Sequence, residues 1–552
     1  MKINHDINLN VSFNSSVGVP KLAWLLRTIE TNLQLIQINA SRDERRYSMM
    51  MLKKCSLAVI FAFRVIAGAP ADDALKYEAG RDLKQPILET GLDSKGAAGS
   101  SDWKPGDPLS LEGGAVVFDV QERMRFEWRE NNFDFNNVID AITDDAYLLQ
   151  RFRIGVRNKP NDWVNIYLQT QDSREIGSDR PDDPGFSGSE GDDSFFLRQA
   201  NVTIANYKEC PFGVTAGRQE LGYGDERLIG AFDWNNIGRV FDGIKMRFQQ
   251  VNWNLEGFAV MPVEHFSNHF DAPDTQDRFF GLYYQMNYIP KQVTEFYAFY
   301  RNKTDIDSGF PMGGSPIGTD QNGVQLGTEK GDYATIGTRI KSTPGQLGPW
   351  DYEMETAGQL GTIVSNSVDT NLPNATTSRK DLAAVATHVA GGYTWEGKER
   401  TRLGLEYNYA SGDHDPMDGN NGSFQNLFPT NHKFYGYMDL FAWRNMHNAR
   451  AQFNITPIEK LGLEVDYHAF WIAETNDQWF RANAYTPVRN VPTRGSANNF
   501  AGSEVDFTAT YPVVKWMKLL VGYSHFFSGA YLADTGRADD ADFVYAQTVF
   551  QF

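Results

Sequence analysis

Phe543-Val-Tyr-Ala-Gln-Thr-Val-Phe-Gln-Phe552 is the stretch whose reading decides the fold. At period two, Val544, Ala546, Thr548, Phe550 and Phe552 share one face, and that face carries no charge. Side chains alternate across a strand, so this is an extended segment with one uncharged side. In water it would be an aromatic sheet edge, open to pairing with other chains. A closed barrel in lipid removes both difficulties, because closure pairs the edge and the bilayer solvates the apolar face. The stretch is therefore expected to be the closing strand of a transmembrane β-barrel.

The remaining sequence agrees. No segment among the 552 residues approaches the roughly 18–20 consecutive apolar residues of a membrane-spanning helix. Membrane residence must then be by strands, and 37 Phe, 24 Tyr and 12 Trp suit a barrel with aromatic girdles. In Arg151-Phe-Arg-Ile-Gly-Val-Arg157, the residues Phe152, Ile154 and Val156 oppose Arg151, Arg153 and Arg157. Asn158 to Asp162 form a turn, after which Val164, Ile166 and Leu168 oppose Asn165, Tyr167, Gln169 and Gln171. Upstream, Met124, Phe126 and Trp128 oppose Arg123, Arg125, Glu127 and Arg129. Later, Leu403, Leu405 and Tyr407 oppose Arg402, Glu406 and Asn408, and Leu463, Val465 and Tyr467 oppose Glu464, Asp466 and His468. About 18 or 19 such segments run from Val116 to Phe552, and closed bacterial barrels favour even numbers, so the expectation is an all-β, 18-stranded antiparallel barrel. Around Phe195–Ile204 the apolar face changes phase, which predicts a bulge.

Short connections, at Asn158–Asp162, Ile289–Gln292 and Pro457–Lys460, alternate with long polar ones. The long ones are Asp172–Ser194, Phe266–Gln276, Thr304–Lys330, Asn366–Lys380, Gly412–Asn431 and Glu474–Asn499. Short periplasmic turns and long extracellular loops are the outer-membrane arrangement. Residues 72–113 read as an N-terminal tail and 114–552 as the barrel. Lys53-Lys54, the apolar run Ser56–Ala67 and Ala69-Pro-Ala71 read as a signal peptide over 49–71, with residues 1–48 an over-extended gene start. The mature chain is then expected to begin near Asp72.

Residues 72–552 keep 43 of the 52 basic and 66 of the 70 acidic residues, a net charge of −23. Such a surface does not bind nucleic acid by counterion release. With Cys55 in the leader, no disulfide framework or Cys-based metal site is expected. The nine histidines are scattered without metalloenzyme spacing, and no cofactor is implied. Asp413-His-Asp415-Pro-Met-Asp418 clusters carboxylates but fails the EF-hand spacing, so a solvated loop is the simpler reading. A lipid-modifying enzyme would need a Ser–His pair on the outer wall; His468 and His525 lie on strand segments, and Gly185-Phe-Ser-Gly-Ser189 is not a nucleophile elbow.

The most specific run is Gly217-Arg-Gln-Glu-Leu-Gly-Tyr-Gly-Asp-Glu-Arg-Leu-Ile-Gly230, followed by Trp234-Asn-Asn236 and Arg239-Val-Phe-Asp242. With Gly348-Pro-Trp-Asp-Tyr-Glu353, Leu405-Glu-Tyr-Asn-Tyr-Ala-Ser-Gly-Asp413, Tyr435-Gly-Tyr-Met-Asp439 and Asn445-Met-His447, it resembles the alginate-export family of outer-membrane porins, over roughly Gly114 to Phe552. The resemblance implies an 18-stranded barrel with an electropositive lumen that passes a polyuronate outward. The residues themselves point the same way. Arg123, Arg125, Arg129, Arg151, Arg153, Arg157, Arg198, Arg218, Arg239 and Arg247 occupy the polar faces and would make a cationic, anion-selective wall. The surplus acid would sit largely in long loops, as at Asp179, Asp182, Asp183, Glu190, Asp192 and Asp193. Guanidinium stays charged and meets two carboxylate oxygens at once, and many weak sites pass a polymer along without trapping it. The plainer role of a lumenal arginine is to pair with Glu and Asp and brace the barrel. The expected partners are an anionic polysaccharide, outer-membrane lipid and the barrel assembly machinery, with the barrel acting as a monomer. A general or carbohydrate-uptake porin is the alternative on the same scaffold.

Overall fold

Hairpin follows hairpin in the computed structural model, which describes residues 109–111, 114–138, 143–180, 191–267, 270–304, 330–342, 347–364, 379–397, 399–485, 487–489 and 496–552. The leader, the gene-start extension and most of the tail lie outside the described residues. Eighteen strands form the wall. The first six are β1 (Val116–Glu130), β2 (Asp145–Asn158), β3 (Val164–Ile176), β4 (Asp193–Ala205), β5 (Phe212–Gln219) and β6 (Phe241–Gln249). Then come β7 (Trp253–Glu264), β8 (Asp277–Met286), β9 (Gln292–Lys303), β10 (Lys330–Ser342), β11 (Trp350–Val364) and β12 (Arg379–Thr394). The last six are β13 (Arg402–Ala410), β14 (Met446–Ile458), β15 (Leu461–Ile472), β16 (Phe500–Val514), β17 (Met517–Ser528) and β18 (Ala541–Gln551). Each pairs antiparallel with its sequence neighbour, and β1 pairs with β18 from Gln121↔Gln551 to Glu130↔Asp542. Closure leaves no edge in the wall, which lipid requires because it cannot satisfy free backbone groups. From the tail, Leu109–Leu111 adds a short strand beside the start of β1.

The expected alternation holds. Met124, Phe126, Ile154, Leu168, Leu405 and Tyr467 are exposed on the outer surface. Their neighbours Arg123, Arg125, Glu127, Arg151, Arg153 and Asp466 are buried, so they point inward. The predicted phase change is a bulge: the β3–β4 register shifts at Gln169/Thr170 and Gln171/Ser173, and Phe195 sits at φ 47°. That irregularity turns Phe195 outward and buries Arg198. Loop bounds differ by a few residues from the sequence reading, since β3 runs on to Ile176 and β4 already begins at Asp193.

The apolar core lies inside the barrel, not between two sheets. Inward rings from β7 to β10, among them Phe258, Phe279, Tyr283, Tyr297, Phe299 and Tyr333, join residues of the long loops in one cluster. Two inward glycines make room for these rings. A Cβ on Gly281 would lie within the Phe258 ring, and one on Gly337 within the Tyr297 ring. Each glycine is the direct cross-strand partner of the ring that covers it. Gly337→Ala should therefore destabilise the barrel by about 1–3 kcal/mol, the usual cost of overpacking. The check is the temperature at which the folded gel band is lost; an unchanged midpoint would mean that the ring moves aside freely.

Candidate functional site

Between β5 and β6 the chain places residues 220–240 inside the lumen. The loop is anchored by its own apolar residues, Leu221, Leu228, Ile229, Ile237 and Val240, all buried. The loop after β13 meets it there. Ile229 and Phe428 form a parallel bridge, the Gly230 N–H donates to Phe428 O at 2.8 Å, and the Thr430 N–H donates to Glu226 O at 2.9 Å. A third loop, after β15, closes on the second: Ala442 N–H donates to Phe480 O and Trp479 Nε1 to Leu440 O. A barrel of this size is wide enough for an aqueous channel, so these loops set the aperture.

The inward arginines of β1, β2 and β4 grip the first loop. Arg123 Nη1 donates to Asp233 O at 2.8 Å and its Nη2 to Asn235 O at 3.2 Å. Arg151 Nη1 reaches the same two carbonyls at 2.9 and 3.2 Å. Arg125 donates to Trp234 O and lies 3.9 Å from the centroid of that indole. Arg198 donates to Ile237 O at 2.7 Å and pairs with Glu220. Arg153 Nη1 lies 2.8 Å and Arg151 Nη1 3.2 Å from the Asp233 carboxylate. These guanidiniums are buried, whereas the Asp233 side chain is 58% exposed, so one carboxylate tops the cluster where solute can reach it.

Half of the arginines singled out from sequence thus converge on residues 233–237, and the rest do not. Arg129 pairs with Glu127 at 3.0 Å and covers the Phe543 ring. Arg157 lies over Tyr167, and Arg247 pairs with Glu256 at 3.3 Å. Arg218 makes a two-pronged contact with Asp242, at 2.8 and 3.0 Å. Arg239 is not on a strand face: it precedes β6 and donates to Gly230 O and Pro429 O at 3.0 Å each, stapling the two inward loops.

Across the lumen the sign is mixed, and here the sequence reading missed several residues. Arg339 meets Asp225, Glu295 and Glu353, while Arg227 meets Glu406 at 3.0 Å and covers the Phe434 ring. Arg450 lies against Asp466 and Glu406. Arg339 and Arg450 stood on polar strand faces and were legible by alternation. Arg227 was not, because it comes from a loop. Part of the acid lies inside among the described residues: Glu127, Glu256, Glu295, Glu504 and Asp506 are buried inward, and Asp193 is buried at the head of β4. Asp182, Asp183 and Glu190 lie outside the described residues. In the inward loops, burial pushes the Asp477 carboxyl up to about 6 despite the Arg444 guanidinium. Burial likewise raises Glu226, against the pull of Lys433. His468 faces inward beside Asp506, His525 Nδ1 bonds Asp542 at 2.9 Å, and among the described residues no serine hydroxyl bonds either ring.

The profile of the alginate export family matches residues 116–546, nearly the whole wall. No curated relative matches the sequence. Among solved structures, Acinetobacter baumannii OccAB1 is similar with a TM-score of 0.50 and 12% identity, covering 79% of this chain and 96% of that one. Pseudomonas aeruginosa OpdK with vanillate has a TM-score of 0.48 and 11% identity, over 79% and 98% of the two chains. Pseudomonas aeruginosa OccK11 (OpdR) has a TM-score of 0.46 and 12% identity, over 79% and 96%. With the closed 18-stranded wall, the lipid-facing belt and a profile that spans them, this chain belongs to the alginate export family and is an outer-membrane porin.

Proposed function

We propose that the channel is anion-selective and exports an anionic polysaccharide such as alginate, passively and without chemistry of its own. The observation that carries this reading is the grip of Arg123, Arg151, Arg153 and Arg198 on the tip of loop 220–240. The Asp233 carboxylate they hold is the kind of group that a polyuronate presents at every sugar, and the peptide carbonyls beside it are acceptors, as a sugar's hydroxyl and ring oxygens are. Charge-assisted, planar donors suit those groups, and the loop supplies a stand-in that the polymer can displace in stages. The protein acts as a monomer with one path per barrel, assembled by the barrel assembly machinery.

A second reading, passage of carbohydrate through a general or uptake porin, is favoured by the aromatic sector. Tyr283 and Tyr297 lie 5.9 Å apart at 5°, and Tyr297 and Phe299 4.9 Å apart at 11°. Such rings stack on sugar faces without regard to charge, but these three are buried under the inward loops, so a sugar would reach them only after those loops move aside.

Reversal potentials in planar bilayers under a salt gradient separate the two. The unmodified pore should favour anions although the mature chain carries a net charge of −23. A lumenal charge acts at a few ångströms, whereas an external one lies beyond the roughly 8–10 Å screening length. Replacing Arg151, Arg153 and Arg218 together by Glu should abolish or reverse the preference, and neutralising Asp182 and Asp183 should change it little. Cation selectivity in the unmodified pore would sink the anionic-polymer reading and leave the barrel intact. An unaltered potential in the triple variant would mean that these arginines are braces alone.

A further inference from the structure

At the neck of the loop between β7 and β8, two carboxylates face one imidazole. Val263 pairs with Pro273 and Glu264 with Ala272, so His265 and Asp271 occupy the next step of the same two-stranded register. Asp193, the first residue of β4, approaches from the wall. His265 Nδ1 lies 2.7 Å from Asp271 Oδ2 and 3.2 Å from Asp193 Oδ2. All three side chains are at most 2% exposed, and their ligand atoms lie within 4.8 Å of one another.

As hydrogen bonding this arrangement is poor. One Nδ1–H cannot serve two carboxylates well, and two buried acids side by side repel unless a cation lies between them. His265 Nε2, also buried, has no hydrogen-bond partner among the described residues. We propose that Asp193, His265 and Asp271 form a binding site for a divalent transition metal of the zinc type. One imidazole nitrogen and two carboxylate oxygens are a donor set that zinc accepts, at about 2.0–2.2 Å each. Outward shifts of a few tenths of an ångström open the trio to that spacing, and a water can complete the tetrahedron. The metal would rivet the loop neck to the wall. It would also fix Arg218, whose Nη2 donates to Asp271 O at 3.2 Å, so occupancy reaches the lumenal arginines. The site is independent of the transported solute.

The test uses the full-length protein without an affinity tag, extracted from outer membranes. After chelation and gel filtration it is incubated with zinc or cobalt chloride and passed through the column again. The expected result is close to one metal per barrel by elemental analysis, visible absorption of tetrahedral cobalt, and a higher thermal midpoint than the chelated protein. His265→Ala and Asp271→Asn should each weaken zinc binding at least tenfold and lose the cobalt bands. Asp193→Asn serves if either fails to assemble, which heat-modifiable gel mobility reports. Negligible retained metal, or equal retention in the variants, would overturn the proposal and leave the trio as a protonated histidine clamped between two carboxylates.

Discussion

Deletion of Phe552 is expected to abolish most of the outer-membrane yield of this protein. The residue is part of the seam that closes the wall. Val120 N–H donates to Phe552 O at 3.1 Å, and Phe552 N–H returns a bond to Val120 O at 2.9 Å. Its ring, with that of Phe550, stacks on Trp516 from the turn before β17, with centroids 5.6 and 6.2 Å away. Loss of the residue removes both backbone bonds and leaves Val120 unpaired where the first and last strands must find each other. In lipid each unsatisfied group costs several kcal/mol, and closure is a cooperative step, so the loss falls on assembly more than on local stability. The measurement is heat-modifiable mobility of membrane fractions, with Phe552→Ala as the milder variant that keeps Val120 paired. Normal amounts of folded barrel from the deletion would mean that strand pairing further up β18 suffices for closure.

The second large effect concerns the aperture. Replacing residues 224–237 by two glycines should raise single-channel conductance roughly fivefold or more, because a barrel of this strand number is wide enough for an aqueous pore once its inward loop is removed. The loop fills space with Leu228, Ile229 and Ile237, and it gives the loop after β13 its pairing partner at Ile229↔Phe428. Removing it also strips Arg123, Arg151 and Arg198 of the carbonyls they hold. The widened pore should therefore pass anions with more binding and more current noise than the parent. Stability will fall, since breaking buried charged contacts on one side costs about 3–5 kcal/mol each at the upper end. Asp233→Ala is the conservative companion: it frees the guanidinium cluster while leaving the loop in place. Unchanged conductance in the deletion would assign the constriction to the loops after β13 and β15 alone.

The wall was legible because two-residue periodicity is a property of neighbouring residues. Arg151, Arg153 and Arg157 against Phe152, Ile154 and Val156 already separate lumen from lipid, and the bulge at Phe195 announces itself as a break in that phase. The count of 18 follows from such segments together with the need to close. On β7 to β10 the same logic runs out, since Phe258, Tyr283 and Tyr297 point inward opposite apolar residues that point outward. Both faces read as hydrophobic, and alternation cannot say which one meets lipid.

What each arginine holds was beyond one-dimensional reading. The partners of Arg123 and Arg151 include the peptide carbonyls of residues 233 and 235, a group which every residue possesses and no side-chain pattern marks. The run from Gly217 to Gly230 stood out as a motif, yet nothing local says that its continuation enters the barrel. A loop's destination depends on the space left by strands far away in sequence, and on distant glycines and rings that shape it. The sequence by itself determined a closed, lipid-facing wall with arginines on its inner side. Only the tertiary structure decided that the loops return into the lumen, clasp those arginines and bring Asp193, His265 and Asp271 together, because each is a contact between segments that share no periodicity.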